Sequence, residues 1–149
     1  MKLKAQAYLK LAAEDWKKKY DQVGNFYGGF AQVRLGGKWG FVDVKGKVVI
    51  PLEYDQVGNF SKGLAGVKLN DKWGFVDATG KEVVPPKYDS VGYFSEGLAK
   101  VRLDDLWGFV DATGKEVVPV RYTDEELPPF SSLIRLGGDP NVISDQISS

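Results

Sequence analysis

The sequence predicts an all-β chain: an array of three 34-residue antiparallel β-hairpin units, with a short helical cap before them and a degenerate unit after them. The first observation is a repeat. Lys72-Trp73-Gly74-Phe75-Val76-Asp77-Ala78-Thr79-Gly80-Lys81 recurs from Lys38 to Lys47 and from Leu106 to Lys115, at a constant step of 34 residues. The second is composition: aromatics make up 13% and there are 18 Gly. Aromatic residues favour strands, and Gly serves turns that need positive φ. The third is turn chemistry, which falls at the same two places in every unit.

Composition narrows the function classes. Twenty basic residues balance twenty acidic ones, so the formal charge is zero. Duplex nucleic acid is therefore disfavoured as a partner, because phosphate contacts call for a basic surplus. The chain has no Cys and no His, which removes Cys/His zinc sites, Ser-His-Asp triads and Cys-His dyads from within it. No apolar run approaches a membrane span of about 18 residues. The N-terminus is basic, but Lys10 and Glu14 interrupt any apolar region behind it, so no secretory signal is expected. The expected compartment is the cytoplasm; an earlier removal of a leader would make it the exterior instead.

Taken in order, residues 1–19 lack Gly and Pro and place Tyr8, Leu11, Ala12 and Trp16 at helical spacing. They predict one amphipathic helix that covers the open edge of the first unit, as repeat arrays require. Alternatives are a helix docking on a partner and a decayed repeat. The units span 20–53, 54–87 and 88–121, opening at Tyr20-Asp21, Tyr54-Asp55 and Tyr88-Asp89. A degenerate capping copy occupies 122–138, where Ile134-Arg135-Leu136-Gly137-Gly138 echoes Val33-Arg34-Leu35-Gly36-Gly37. A loose tail is expected over 139–149.

Within the second unit, Val57 to Phe60 is the first strand, turning at Ser61-Lys62-Gly63. Leu64 to Leu69 follows, turning at Asn70-Asp71, which tolerates the positive φ of a two-residue hairpin loop. Lys72 to Asp77 turns at Ala78-Thr79-Gly80, a three-residue loop with Gly in the left-handed position. Lys81 to Val84 is the last strand, ended by Pro85 and Pro86. Strands this short, joined this tightly, are antiparallel. That register sets Arg34 opposite Trp39, Lys68 opposite Trp73 and Arg102 opposite Trp107. It also sets Phe41 opposite Val49, Phe75 opposite Val83 and Phe109 opposite Val117, with Asp43, Asp77 and Asp111 facing Lys47, Lys81 and Lys115.

Gly40, Gly74 and Gly108 weaken a strand interior and so need a reason. Alternation turns them away from the Trp face, where a bare backbone admits another sheet or an aromatic ring. Both hairpin faces are apolar, so the units must pack on each other. An open, twisted array is expected, with a closed trefoil-like or propeller-like body as the rival.

The full pattern resembles the WG repeat, also called the KWG repeat: Lys-Trp-Gly-Phe-Val-Asp-x-x-Gly-Lys, Val-Val-Pro, Tyr-Asp-x-Val, then Phe-Ser-x-Gly-Leu-Ala. The resemblance covers residues 20–121, with an echo to 138. Leu106 departs from the pattern's Lys, and Tyr27-Gly28-Gly29-Phe30 departs from its Phe-Ser-x-Gly-Leu. It implies β-rich modules of bacterial proteins that serve as interaction scaffolds in varying copy number, which argues against closure. It implies no catalytic residues.

Other motifs read as structure. Gly74 to Glu82 is similar to a phosphate-binding loop, but it has one residue too many, Glu82 in place of Ser or Thr, and no helix behind it. Asp21, Asp55, Asp89, Asp43, Asp77 and Asp111 sit where turns use Asp side chains, without calcium-loop spacing. No catalytic, cofactor-binding or metal-ligating residue is expected. Trp39-Gly40, Trp73-Gly74 and Trp107-Gly108 read as the structural hub of each unit. The candidate contact surface is Gln32, Arg34, Lys68, Lys100, Arg102, Asp104, Asp105 and Arg135, where a basic row meets positions that vary between units. Gln32, Gly66 and Lys100 hold one such position. The expected role is a non-enzymatic scaffold binding another protein, with an acidic peptide or anionic glycan as a fitting ligand. The alternative is a carbohydrate or cell-envelope module using the Trp row. An enzyme with paired carboxylates ranks last.

Overall fold

Turn chemistry frames the structure. The computed structural model describes residues 14–127, 129, 130 and 132. Six two-residue turns carry positive φ at both central residues: Gly28-Gly29, Gly36-Gly37, Lys62-Gly63, Asn70-Asp71, Glu96-Gly97 and Asp104-Asp105. Such turns match the right-handed twist of the strands they join. They fold the chain into three antiparallel four-stranded sheets in simple sequence order. The first holds β1 (Gln22–Tyr27), β2 (Phe30–Leu35), β3 (Lys38–Asp43) and β4 (Val48–Tyr54). The second holds β5 (Gln56–Val57), β6 (Leu64–Leu69), β7 (Lys72–Asp77) and β8 (Glu82–Tyr88). The third holds β9 (Ser90–Val91), β10 (Leu98–Leu103), β11 (Leu106–Asp111) and β12 (Glu116–Tyr122).

The central hairpins have the register read from the sequence. Arg34, Lys68 and Arg102 lie opposite Trp39, Trp73 and Trp107. Asp43, Asp77 and Asp111 close the next loop, donating their backbone N–H to the carbonyls of Lys47, Lys81 and Lys115 at 2.9 Å.

The last strand of each unit departs from expectation. Phe41, Phe75 and Phe109 lie opposite Ile50, Val84 and Val118, not Val49, Val83 and Val117. Nor do Pro85 and Pro86 end the strand, since β8 runs through them to Tyr88. One cause explains both. Pairing slips once between Phe75 and Val76 and again between Trp73 and Phe75, so β8 carries extra residues against β7. Bulged residues have no ladder hydrogen bond to lose, which is why proline is tolerated there. The bulge arches β8 over Gly74. A Cβ on Gly74 would lie 2.7 Å from Pro85 C and Pro86 N, and closer still to the Val84 carbonyl oxygen. Gly40 and Gly108 lie under the same arch, with Leu52 N at 2.9 Å and Pro119 C at 2.8 Å from such an atom. The glycine admits its own unit's last strand, where another sheet or a ring was expected.

Both faces of each hairpin are buried. Ala65, Val67 and Val76 pack against Phe41, Ile50 and Tyr54 of the preceding sheet. Leu64, Phe75 and Val84 pack against Ala99, Val101 and Val110 of the following one. One ring contact recurs at each junction: Phe41 with Phe60 at 4.7 Å, Phe75 with Phe94 at 4.7 Å, and Phe109 with Phe130 at 5.8 Å between centroids. The first and third units are covered at their outer ends by different segments. Leu127 and Phe130 pack on the third unit. Trp16 and Tyr20 pack on the first, where a Cβ on Gly46 would lie 2.6 Å from Trp16 Cδ1. Equivalent Gly80 and Gly114 meet the backbone of Val49 and Val83 in the preceding unit. Trp16 thus stands where a preceding unit's last strand would be. It belongs to a short 3-10 helix, Asp15–Lys19. The amphipathic helix expected earlier in the chain, with Tyr8, Leu11 and Ala12, lies outside the described residues, as do Arg135, the rest of the degenerate copy beyond 132 and the tail 139–149.

Candidate functional site

The recurring aspartates stitch the units. Asp21, Asp55 and Asp89 each accept the N–H of the β-turn fifteen residues on, from Gly36, Asn70 and Asp104 at 2.9–3.0 Å. Asp55 and Asp89 also take an ammonium from the preceding unit: Lys38 Nζ at 2.5 Å, and Lys72 Nζ. Those lysines, with the turn N–H groups, hold both carboxyls below the usual Asp range. At the next junction both partners change together, Leu106 replacing the lysine and Thr123 the aspartate.

Asp43, Asp77 and Asp111 cap the β3–β4 type of turn, each accepting two backbone N–H bonds. The Thr79 hydroxyl leads the causes that lower Asp77. For Asp111, burial pushes the pKa up, but bonds from Thr113 and Lys115 together outweigh it. Buried Tyr54 and Tyr88 end β4 and β8 and donate to Glu82 at 2.9 Å and Glu116 at 2.5 Å in the last strand of the following sheet. Burial first, then the neighbouring carboxylates, keep both phenols neutral far above their ordinary range. Tyr20 holds the equivalent position, but Val48 stands where the glutamate would be. Its buried Oη has no partner among the described residues.

Lys68 and Arg102 of the basic row are engaged with aromatic rings and acids. Lys68 Nζ lies 6.0 Å from the Trp73 ring centroid and 4.0 Å from Asp71. Arg102 lies 5.9 Å from the Trp107 centroid and 3.5 Å from Asp105. Asp104 is held by its backbone N–H bond to Asp89. Arg34 is half-buried opposite Trp39. Trp39, Trp73 and Trp107 are each half-buried, flanking the seam where one unit meets the next.

That seam holds the candidate site. The position shared by Gln32, Gly66 and Lys100 faces it in every unit, and each residue leaves it in a different state. Gln32 reaches across the first seam, its Nε2 donating to Asn59 Oδ1 at 2.9 Å and to the Val57 carbonyl at 3.4 Å. Lys100 reaches across the third, its Nζ 3.0 Å from Asp124 and 4.2 Å from the Trp107 centroid. Gly66 has no side chain to reach across the second. A Cβ there would meet Trp73 Cε3 and Cζ3 at 3.7 Å and Val91 Cγ2 at 3.8 Å, all ordinary contact. At this seam lies a cleft of about 200 Å³ walled by Trp73, Phe75, Tyr93 and Phe94, with Asn59 and Ser61 as polar groups. A second cleft, of about 470 Å³, lies between the third unit and the segment carrying Leu127 and Phe130, with the Lys100–Asp124 pair at its lining.

The sequence reading singled out Gln32 and Lys100 and missed Tyr93. Tyr93 is 87% exposed and lines both clefts. Its signal was present: Val23-Gly24-Asn25-Phe26 and Val57-Gly58-Asn59-Phe60 are followed by Val91-Gly92-Tyr93-Phe94. Asn59 as a receiving group was also missed, because its partner Gln32 lies 27 residues away.

Among the described residues, no group of three or more His, Cys, Asp or Glu is placed to hold a metal ion. No described helix is long and apolar enough to cross a membrane. No curated protein and no solved structure matches the chain. The WG containing repeat matches it four times in succession, over residues 17–39, 39–73, 73–107 and 107–132. The three shared boundaries fall on the tryptophans of the hub, and the chain belongs to the WG-repeat family.

Proposed function

We propose that this chain is a non-enzymatic scaffold that binds another protein through the seams between its units. The observation that carries the reading is the middle seam. There the repeat departs twice from its own pattern, at Gly66 and Tyr93, and both departures favour an accessible aromatic-walled cleft. Aromatic walls with a few polar groups suit an inserted side chain. The carboxylates are committed to turns and unit junctions, which supports a binding role over general acid–base chemistry.

Display of random peptides against the full chain tests this. Peptides enriched on the native chain and lost on Gly66→Gln, which copies Gln32 into the cleft, are the expected result. No enrichment over a blank surface would end the reading. A carbohydrate-binding alternative draws on the Trp73 and Tyr93 rings. It requires saturable quenching of tryptophan fluorescence by oligosaccharides, also lost in Gly66→Gln.

A further inference from the structure

The chain displays in its outer seams what its middle seam can hold. Two seams are spanned by a residue of the chain itself, and both occupants have the same design. Gln32 and Lys100 are flexible stems ending in an N–H donor. Lys100 adds a second element, since its ammonium stands 4.2 Å from the Trp107 centroid while Arg102 occupies the same indole at 5.9 Å. Two cations therefore share Trp107. Among the described residues, Trp73 has only the outer one, Lys68 at 6.0 Å. The place corresponding to Lys100 is bare at Gly66, directly against the six-membered ring of the indole. Val91 and Tyr93 stand where Val57 and Asn59 receive Gln32.

We infer that the middle cleft takes a lysine side chain from the partner protein, in the place where Lys100 serves the third seam in cis. This rests on the scaffold reading and specifies its ligand. The ammonium lies over Trp73, and the methylene stem runs past Gly66 along the wall formed by Phe75 and Tyr93, with Asn59 and Ser61 as the polar groups at hand. Cation–π attraction to indole is the strongest of the aromatic series and grows when the cation is desolvated. Glycine at 66 keeps the ring face clear. The assignment reverses the sign expected from the basic row, whose Lys68 and Arg102 already carry Asp71 and Asp105 as partners.

The test uses the full chain, with the indole N–H resonances of its four tryptophans as reporters. The probes are acetylated, amidated pentaglycine-type peptides whose central residue is Lys, norleucine, Gln or Glu. The Lys peptide is expected to shift Trp73 alone, with half-saturation on the order of 10 mM, typical of a single weakly anchored side chain. Norleucine, which keeps the stem and drops the ammonium, binds at least fivefold more weakly, and Glu leaves Trp73 unmoved. Gly66→Lys abolishes the response, with Gly66→Gln as a second closure. Lys100→Gly clears the Trp107 ring at the third seam, and Trp107 then responds to the Lys peptide. Equal shifts from norleucine and Lys, a response surviving both closures, or a silent Trp107 in Lys100→Gly would each overturn the assignment. Spermidine outcompeting the peptide on Trp73 would also overturn it, assigning the cleft to free amines. Peptides captured by display but indifferent to Lys sink this inference and spare the scaffold; a Lys response without any captured peptide does the reverse.

Discussion

Gly74→Ala isolates the arch on which each unit depends. The backbone at Gly74 is ordinary for any residue, since its φ is not among the positive ones. The entire penalty is therefore steric. The new methyl would sit 2.7 Å from Pro85 C and Pro86 N, and ordinary contact begins at 3.4 Å. The Val84 carbonyl oxygen is nearer still, so the arch must retreat by more than the roughly 0.7 Å those two atoms require, and it is built from stiff prolines. Overpacking of this kind costs about 1–3 kcal/mol. The arch ends at Tyr88, whose hydroxyl bonds Glu116 in the next unit. Straining that bond to a charged acceptor adds about 1 kcal/mol. The expected loss is about 2–4 kcal/mol, which at a urea m-value near 2 kcal/mol/M lowers the midpoint by about 1–2 M. Gly66→Ala is the matched control, because its methyl meets Trp73 at 3.7 Å. Relief of glycine's strand penalty should leave it unchanged or stabilised by up to about 1 kcal/mol. Urea unfolding followed by far-UV circular dichroism and tryptophan fluorescence reads both variants. A midpoint for Gly74→Ala within experimental error of the native chain would refute the reasoning, as would an equal loss in Gly66→Ala.

Two further predictions concern buried hydroxyls and pH. Val48→Glu should supply Tyr20 with the acceptor that Glu82 and Glu116 give Tyr54 and Tyr88, raising stability by about 1 kcal/mol and Tm by about 2–4 °C. Tyr20→Phe should be neutral or stabilising while Tyr88→Phe destabilises; calorimetry giving equal losses would contradict the assignment. Acid should weaken the fold through Asp55, Asp77, Asp89 and Asp111, whose pKa values are lowered. Their contribution is present above the unfolded value of about 3.9 and is lost as pH falls through the folded values. Tyr54 and Tyr88 act at the other end, since their raised values remove stability as pH climbs above about 10. A urea midpoint that stays level from pH 8 down to pH 3 would contradict the first half.

Much of the fold was legible because it is local. Two positive-φ residues between alternating runs fix a hairpin and its register within six residues. Hence Arg34, Lys68 and Arg102 fall opposite their tryptophans as read. A constant step repeats the unit, and apolar residues on both hairpin faces demand neighbours on both. The arch over Gly40, Gly74 and Gly108 was not legible in the same way. The prolines that mark it also mark strand ends, and only the bulged pairing separates the two meanings. The candidate site was half legible: comparison of equivalent positions exposed Gln32, Gly66 and Lys100 as variable. Whether such a position faces solvent or a seam depends on the next unit. Gln32 meets Asn59 across 27 residues, and Lys100 meets Asp124 across 24. The sequence alone therefore determined the repeating unit and where it varies. Tertiary packing decided what that variation does, because a glycine opens a cleft only where a neighbouring unit supplies the other wall.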